Sequence, residues 1–212
     1  RTKSSAASDV YKRQELGSPG VDLNFGCPAK TVNKSKGGAV LLQYTQQLHD
    51  IVYAVRQAVP AHLPVTAKIR LGYEDKSLAI DNAVAIDEAG ASELVVHART
   101  KTEGYRPPAY WDWIKKIKAV TRLPVIANGE IWNHDDAVRC MQASGCDDLM
   151  IGRGALAMPN LARHIRGEEA PMAWQDLSQL LIDYSGYEIF GDKGRYYPCL
   201  LYTSDAADDF VR

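Results

Sequence analysis

No apolar run among the 212 residues is long enough to span a bilayer. The amino end carries Arg1 and Lys3 and then Ser4-Ser5-Ala6-Ala7-Ser8, which lacks the hydrophobic core of a signal peptide. These two absences predict a soluble, cytoplasmic protein. No CxxC pair occurs, and the four cysteines (Cys27, Cys140, Cys146, Cys199) lack metal-type spacing, which in a chain of this length fits a reducing compartment. No HxxxH pair or carboxylate cluster marks a metal site, and the missing GxGxxG disfavours a Rossmann dinucleotide site. Surplus charge is absent too. A net charge of −1 excludes a global basic field but leaves room for local patches. Lys30, Lys34 and Lys36 form one patch with no acid among them; Arg99, Lys101 and Arg106 form another, broken only by Glu103. Each also fits an ordinary solvated surface.

What the chain does have is enough length for one domain with a core, and 46% apolar residues. Short apolar segments at 21–25, 65–69, 94–97, 125–127 and 149–151 read as strands. Helical stretches lie between them. Residues 46–59 carry Leu48, Ile51, Val52, Val55 and Val59 on one stripe, and 111–120 carry Ile114, Ile117 and Val120. Stretches 78–89 and 135–144 stop at Gly90 and Gly145, good residues for leaving a helix. A further helix is expected over 156–165. Strands alternating with helices of this length predict parallel pairing, because antiparallel neighbours need only hairpins.

The strand ends agree in kind. The first runs into Asn24 and Cys27, the second into Lys68 and Arg70, the third into His97 and Arg99. Asn128-Gly129-Glu130 ends the fourth and Gly152-Arg153-Gly154 the fifth. The carboxyl edge of a parallel sheet is where α/β folds bind ligands. Cys27, pinned between Gly26 and Pro28, cannot continue in a sheet and can face a ligand; a small packed cysteine in a turn would read the same way. The glycines and guanidinium of the fifth end suit a phosphate, and Gly129 leaves room for a cofactor edge.

Gly20-Val21-Asp22-Leu23-Asn24-Phe25-Gly26-Cys27-Pro28, with Lys30-Thr31-Val32 and Gly37-Gly38-Ala39, resembles the tRNA-dihydrouridine synthases. Lys68-Ile69-Arg70, Val96-His97-Ala98-Arg99-Thr100, Ile126-Ala127-Asn128-Gly129-Glu130-Ile131 and Ile151-Gly152-Arg153-Gly154-Ala155 match that family in the same order. Finer wording, including Gly104-Tyr105-Arg106 and Gly129-Glu130-Ile131-Trp132, is similar to its bacterial C-type branch, which implies uridine 16. The resemblance implies an α/β fold: a partial (β/α)8 TIM barrel, about its last five strands, with the start of a C-terminal helical domain. It implies FMN as cofactor, NADPH as reductant and tRNA as partner; the sequence leaves the oligomeric state open, with a monomer expected. Cys27 is then the catalytic acid, and an unperturbed thiol with a pKa of ~8.5 is mostly protonated at neutral pH. Asn24, Arg70 and Tyr105 are the implied substrate-binding residues. Lys68, His97, Asn128, Gly129, Glu130, Gly152 and Arg153 are the implied cofactor-binding residues. Lys30, Lys34, Lys36, Arg99 and Lys101 are the implied RNA contacts, and no metal is implied.

Residues 15–168 are expected to form the partial FMN-binding barrel and 169–198 the start of a helical tRNA-binding domain. Residues 1–14 and 199–212 match nothing in the family and read as non-family tails. The three strands that precede the Cys27 strand in the family are not in this sequence. Two open sheet edges predict that the chain alone aggregates and is inactive. Two rival functions stay open: an FMN-barrel oxidoreductase of a free pyrimidine, similar to dihydroorotate dehydrogenase, and a non-catalytic RNA-binding remnant.

Overall fold

A computed structural model describes residues 17–188. Five strands form one parallel sheet in sequence order: β1 Val21–Asn24, β2 Val65–Arg70, β3 Glu93–His97, β4 Val125–Asn128 and β5 Leu149–Met150. Among the described residues the sheet does not close on itself. Eight α-helices are described: α1 Lys30–Lys34, α2 Thr45–Ala58, α3 Ala79–Glu88, α4 Trp111–Lys118, α5 His134–Ser144, α6 Gly154–Ala157, α7 Leu161–Ile165 and α8 Trp174–Glu188. A 3₁₀ turn covers Gly38–Gln43. Sequential parallel strands with a crossover helix in each gap are the geometry of a (β/α) barrel segment. None of the helices among the described residues is long and apolar enough to cross a membrane.

Period-two alternation divides the sheet into two faces. Val65, Ala67, Ile69, Leu94, Val96, Val125 and Ala127 are buried and make one face. Val55 and Val59, on the apolar stripe of α2 and just past it, pack on Val65 with Val21 and Leu23 of β1. Arg56 then ties off the end of α2: its Nη1 donates to the Leu63 carbonyl at 2.8 Å and its Nη2 to those of Val59 and Pro60, each at 2.7 Å. Of these only the Val59 carbonyl belongs to the helix terminus, at its C-cap; the other two lie in the loop that leads to β2. The repeated Leu-Pro-Val entry has a use as well. Pro64 and Pro124 lack an N–H, yet their carbonyls accept from Val21 and Leu94 of the neighbouring strands, both at 3.0 Å.

The 156–165 helix differs from expectation. It splits into α6 and α7 around Met158 and Pro159, because proline cannot donate within a helix and restricts the residue before it. The short α1 and the 3₁₀ turn have no apolar periodicity and are not legible in the sequence. By internal packing the described residues divide into two units, 17–130 with 135–150, and 131–134 with 151–188. The stretches 1–14 and 199–212 lie outside the described residues.

Candidate active site

The first unit carries the strand-end cluster. Parallel register aligns Asn24 with Lys68, Arg70 with His97, and His97 with Asn128. Partners in register share a face, and Lys68 and Arg70 lie two residues apart on one strand. Asn24, Lys68, Arg70, His97 and Asn128 therefore all project from the sheet face opposite the apolar one. Lys68 Nζ donates to Asn128 Oδ1 at 3.1 Å, and Asn128 Nδ2 donates to the Met150 carbonyl at 2.8 Å. Burial, aided by neighbouring Arg70 and opposed by Asp22, pulls the Lys68 ammonium down to about 8.

Arg70 is 3% exposed and braces two loops. Its Nε donates to the Gly26 carbonyl at 2.9 Å; its Nη1 donates to those of Thr100 at 3.2 Å and Gly104 at 2.8 Å. Its guanidinium lies 5.1 Å from the Tyr105 ring centroid, and the His97 ring is 5.9 Å from that same ring. Burial lowers the Arg70 pKa from its ordinary value, against the support of Tyr105. The Tyr105 loop is itself fastened. Glu103 accepts from the Thr100 N–H at 2.7 Å and pairs with Lys76; burial opposes, but these bonds hold its carboxyl below the usual range.

Cys27 is a free, half-buried thiol three residues past β1. The strand ends at Asn24, one residue short of the expected Phe25, because Asn24 Oδ1 turns back to accept the Gly26 N–H at 2.9 Å. Gly129, at φ +117°, is required where it stands: a Cβ there would lie 2.8 Å from His97 Cδ2. Trp111 Nε1 donates to the Gly129 carbonyl at 2.9 Å. In the sequence Trp111 stands out only as the start of a helix. Glu130 follows at φ +59° and pairs with Arg99.

That pairing overturns one expectation. Arg99 is 0% exposed, bonded through Nε to the Pro108 carbonyl at 3.2 Å and paired through Nη2 with Glu130. A guanidinium with no exposed surface does not hold a phosphate backbone, so Arg99 leaves the RNA-contact set. Spacing places it beside Lys101, but the chain turns between them. Lys101 is half-exposed, with Nζ 4.7 Å from the Tyr73 ring centroid. Lys30, Lys34 and Lys36 are all exposed on and just after α1, which buries none of its residues.

Gly152 and Arg153 belong to the second unit. Gly152 is exposed, with nothing within 4 Å of the position a methyl group would take. Gly154 is the glycine that packing demands: a Cβ there would lie 2.2 Å from the Ile131 carbonyl oxygen. The Arg153 guanidinium sits 4.9 Å from the Trp132 ring centroid.

One observation tests whether the first unit's edge fits an electron-rich ring. Lys68 is a half-buried ammonium whose named hydrogen-bond partner is an amide oxygen, not a carboxylate, which leaves donor capacity for a ligand that brings acceptors. No group of three or more metal-binding side chains occurs among the described residues.

The family profile described as Dihydrouridine synthase (Dus) matches residues 2–185. A tRNA-dihydrouridine(16) synthase of Shewanella oneidensis is 60% identical over 192 residues, covering 91% of this chain and 61% of that protein. One from Vibrio parahaemolyticus is 52% identical over 193 residues, covering 91% of this chain and 60% of its own length. The chain thus spans about three fifths of these relatives. Among solved structures, a dihydrodipicolinate synthase from Agrobacterium tumefaciens superposes with a TM-score of 0.55 at 15% identity, over 78% of this chain and 54% of that one. A dihydrodipicolinate synthase from Acinetobacter baumannii gives 0.54 at 13% identity, over 92% and 72%. At such identities the likeness concerns the fold alone.

Proposed function

The chain belongs to the dihydrouridine synthase family, and from that premise we propose that the protein it comes from reduces the C5=C6 bond of uridine 16 in tRNA to 5,6-dihydrouridine, with FMN as cofactor and NADPH as reductant, in the cytoplasm. The observation that carries this reading is the single polar rim on which register gathers Asn24, Lys68, Arg70, His97 and Asn128, with the free Cys27 thiol just beyond it. We assign residues 15–168 to the flavin-binding partial barrel and 169–198 to the beginning of the tRNA-binding helical domain.

FMN, when bound, supplies a hydride to C6, and NADPH restores it. The remaining chemistry falls to this chain. Cys27 donates its thiol proton to C5, so the ring gains one hydride and one proton and the thiolate is reprotonated from solvent. Lys68 and Asn128 form a donor pair for the electron-rich edge of the flavin, and a lysine pulled down to about 8 still carries its proton at neutral pH. His97, whose ring lies too close to Gly129 for any larger residue there, would contact the flavin as well. Asn24 and Tyr105 hold the uracil, the amide through hydrogen bonds and the phenol ring by stacking; Arg70 holds Tyr105 in place. Gly152 and Arg153 of the second unit are assigned to the phosphate on the strength of the family motif. A uridine inside folded tRNA must leave its stack to react, at about a few kcal/mol, so the enzyme receives an extruded base. Lys30, Lys34, Lys36 and Lys101 then hold phosphates.

The test is to express the full-length protein in cells lacking their own enzyme and map dihydrouridine in tRNA. Dihydrouridine returning at position 16 is the expected result. Its absence, or equal reduction of free uridine by the purified protein, overturns the proposal and favours a free-pyrimidine oxidoreductase.

A further inference from the structure

Cys27 stands where ordinary sheet bonding has ended. β1 stops at Asn24, and Pro28 has no N–H, so no ladder holds the cysteine's own backbone. Side chains and a returning loop replace the ladder. Asn33 does most of this. Its Nδ2 donates to the Cys27 carbonyl at 2.9 Å and to the Ala29 carbonyl at 2.8 Å, on either side of Pro28. Its Oδ1 accepts the Val40 N–H at 2.7 Å, which pulls the chain back over the cysteine. The return is close. Ala39 N–H donates a second bond to the Cys27 carbonyl at 3.0 Å. A Cβ on Gly38, which sits at φ +66°, would lie 2.7 Å from the Cys27 carbonyl oxygen and 3.1 Å from its Cβ. On the other flank Arg70 holds the Gly26 carbonyl.

We infer that Asn33 is a positioning residue for Cys27: it fixes the backbone on which the thiol is carried and so sets the direction in which the sulfur points. A cysteine serving only as packing has no need of a carbonyl held twice and a loop closed against its Cβ. An amide is the side chain for this task, since one planar group must donate twice and accept once. Aspartate keeps the acceptor for Val40 but sets a carboxylate against two carbonyl oxygens, which separates anchoring of the loop from anchoring of the cysteine. The inference rests on the proposed function only where it concerns the rate of reduction.

The experiment uses the full-length protein, and the thiols followed are Cys27 and the buried Cys140 and Cys146. Iodoacetamide labelling is tracked residue by residue by mass spectrometry for wild type, Asn33→Asp and Asn33→Ala. Both variants are expected to raise the labelling rate of Cys27 about tenfold, with Cys140 and Cys146 still protected. In the same variants kcat for dihydrouridine formation falls while KM for tRNA holds. Unchanged Cys27 labelling overturns the inference; so does parallel exposure of all three thiols, which makes Asn33 a residue of the general fold. If the labelling contrast appears in a protein that makes no dihydrouridine at all, the functional reading fails and the positioning role stands.

Discussion

Two groups of basic residues lie close in sequence to the same strand ends and live in opposite environments. Lys68 is half-buried, Arg70 and Arg99 are buried, and each is bonded to named oxygens. Lys30, Lys34 and Lys36 are exposed on and beside a helix that buries nothing. In the first group a cation organises the structure around it: removing it takes a donor from the oxygens it holds. In the second a cation acts only through its long-range field, which salt screens. The same residue types thus give short-range geometry on one side of Cys27 and long-range attraction on the other.

The sharpest break between inner rim and outer patch is chemical. Cys27→Ala is expected to lower dihydrouridine formation by about 10²–10⁴-fold without changing tRNA affinity, read by single-turnover assay and filter binding. Next in size is Arg99→Gln. Leaving Glu130 without its buried partner lowers the unfolding free energy by about 3 kcal/mol in chemical denaturation, whereas the salt dependence of tRNA binding stays as in wild type. A changed salt slope would return Arg99 to the RNA-contact set. Arg70→Met deprives the Gly26, Thr100 and Gly104 carbonyls of a donor and costs about 2–3 kcal/mol by the same measurement.

Lys68 gives a pH signature. Its folded pKa lies below its unfolded value, so between about 8 and about 10.5 the unfolded chain binds more protons. Stability from this group therefore rises with pH across that window and is lost as pH falls through 8. Cys140 runs the other way. Burial and nearby Cys146 push its thiol up to about 12, so its contribution is present below the usual thiol pKa and is lost above it. The difference between wild type and Lys68→Met, measured by urea unfolding at several pH values, isolates the lysine; a flat difference would place its ammonium in water. The smallest effect belongs to the outer patch. Replacing Lys30, Lys34 and Lys36 with alanine should leave stability unchanged and reduce the magnitude of the log–log salt slope of tRNA binding by about 2–3.

Sequence periodicity places all five strands and the longer helices to within a residue or two, because burying one face of each element forces a readable pattern. It also marks Cys27, Lys68, His97 and Asn128 as strand-end residues, since polar residues at the ends of apolar strands stand out. Arg99 misleads for the converse reason: its partner Glu130 is 31 residues away, and spacing along the chain says nothing of a turn that takes a guanidinium inward. Asn33 and Trp111 give no signal, as one looks like a surface residue of a basic stretch and the other like the first residue of a helix.

Local pattern therefore determined by itself the alternation of elements, their parallel pairing and the family, because each depends on short-range spacing of apolar and special residues. Which cations are buried, what braces Cys27, and which side chains share a rim were settled by the tertiary structure alone. Those outcomes depend on hydrogen bonds across tens of residues, and such bonds leave no period in the chain.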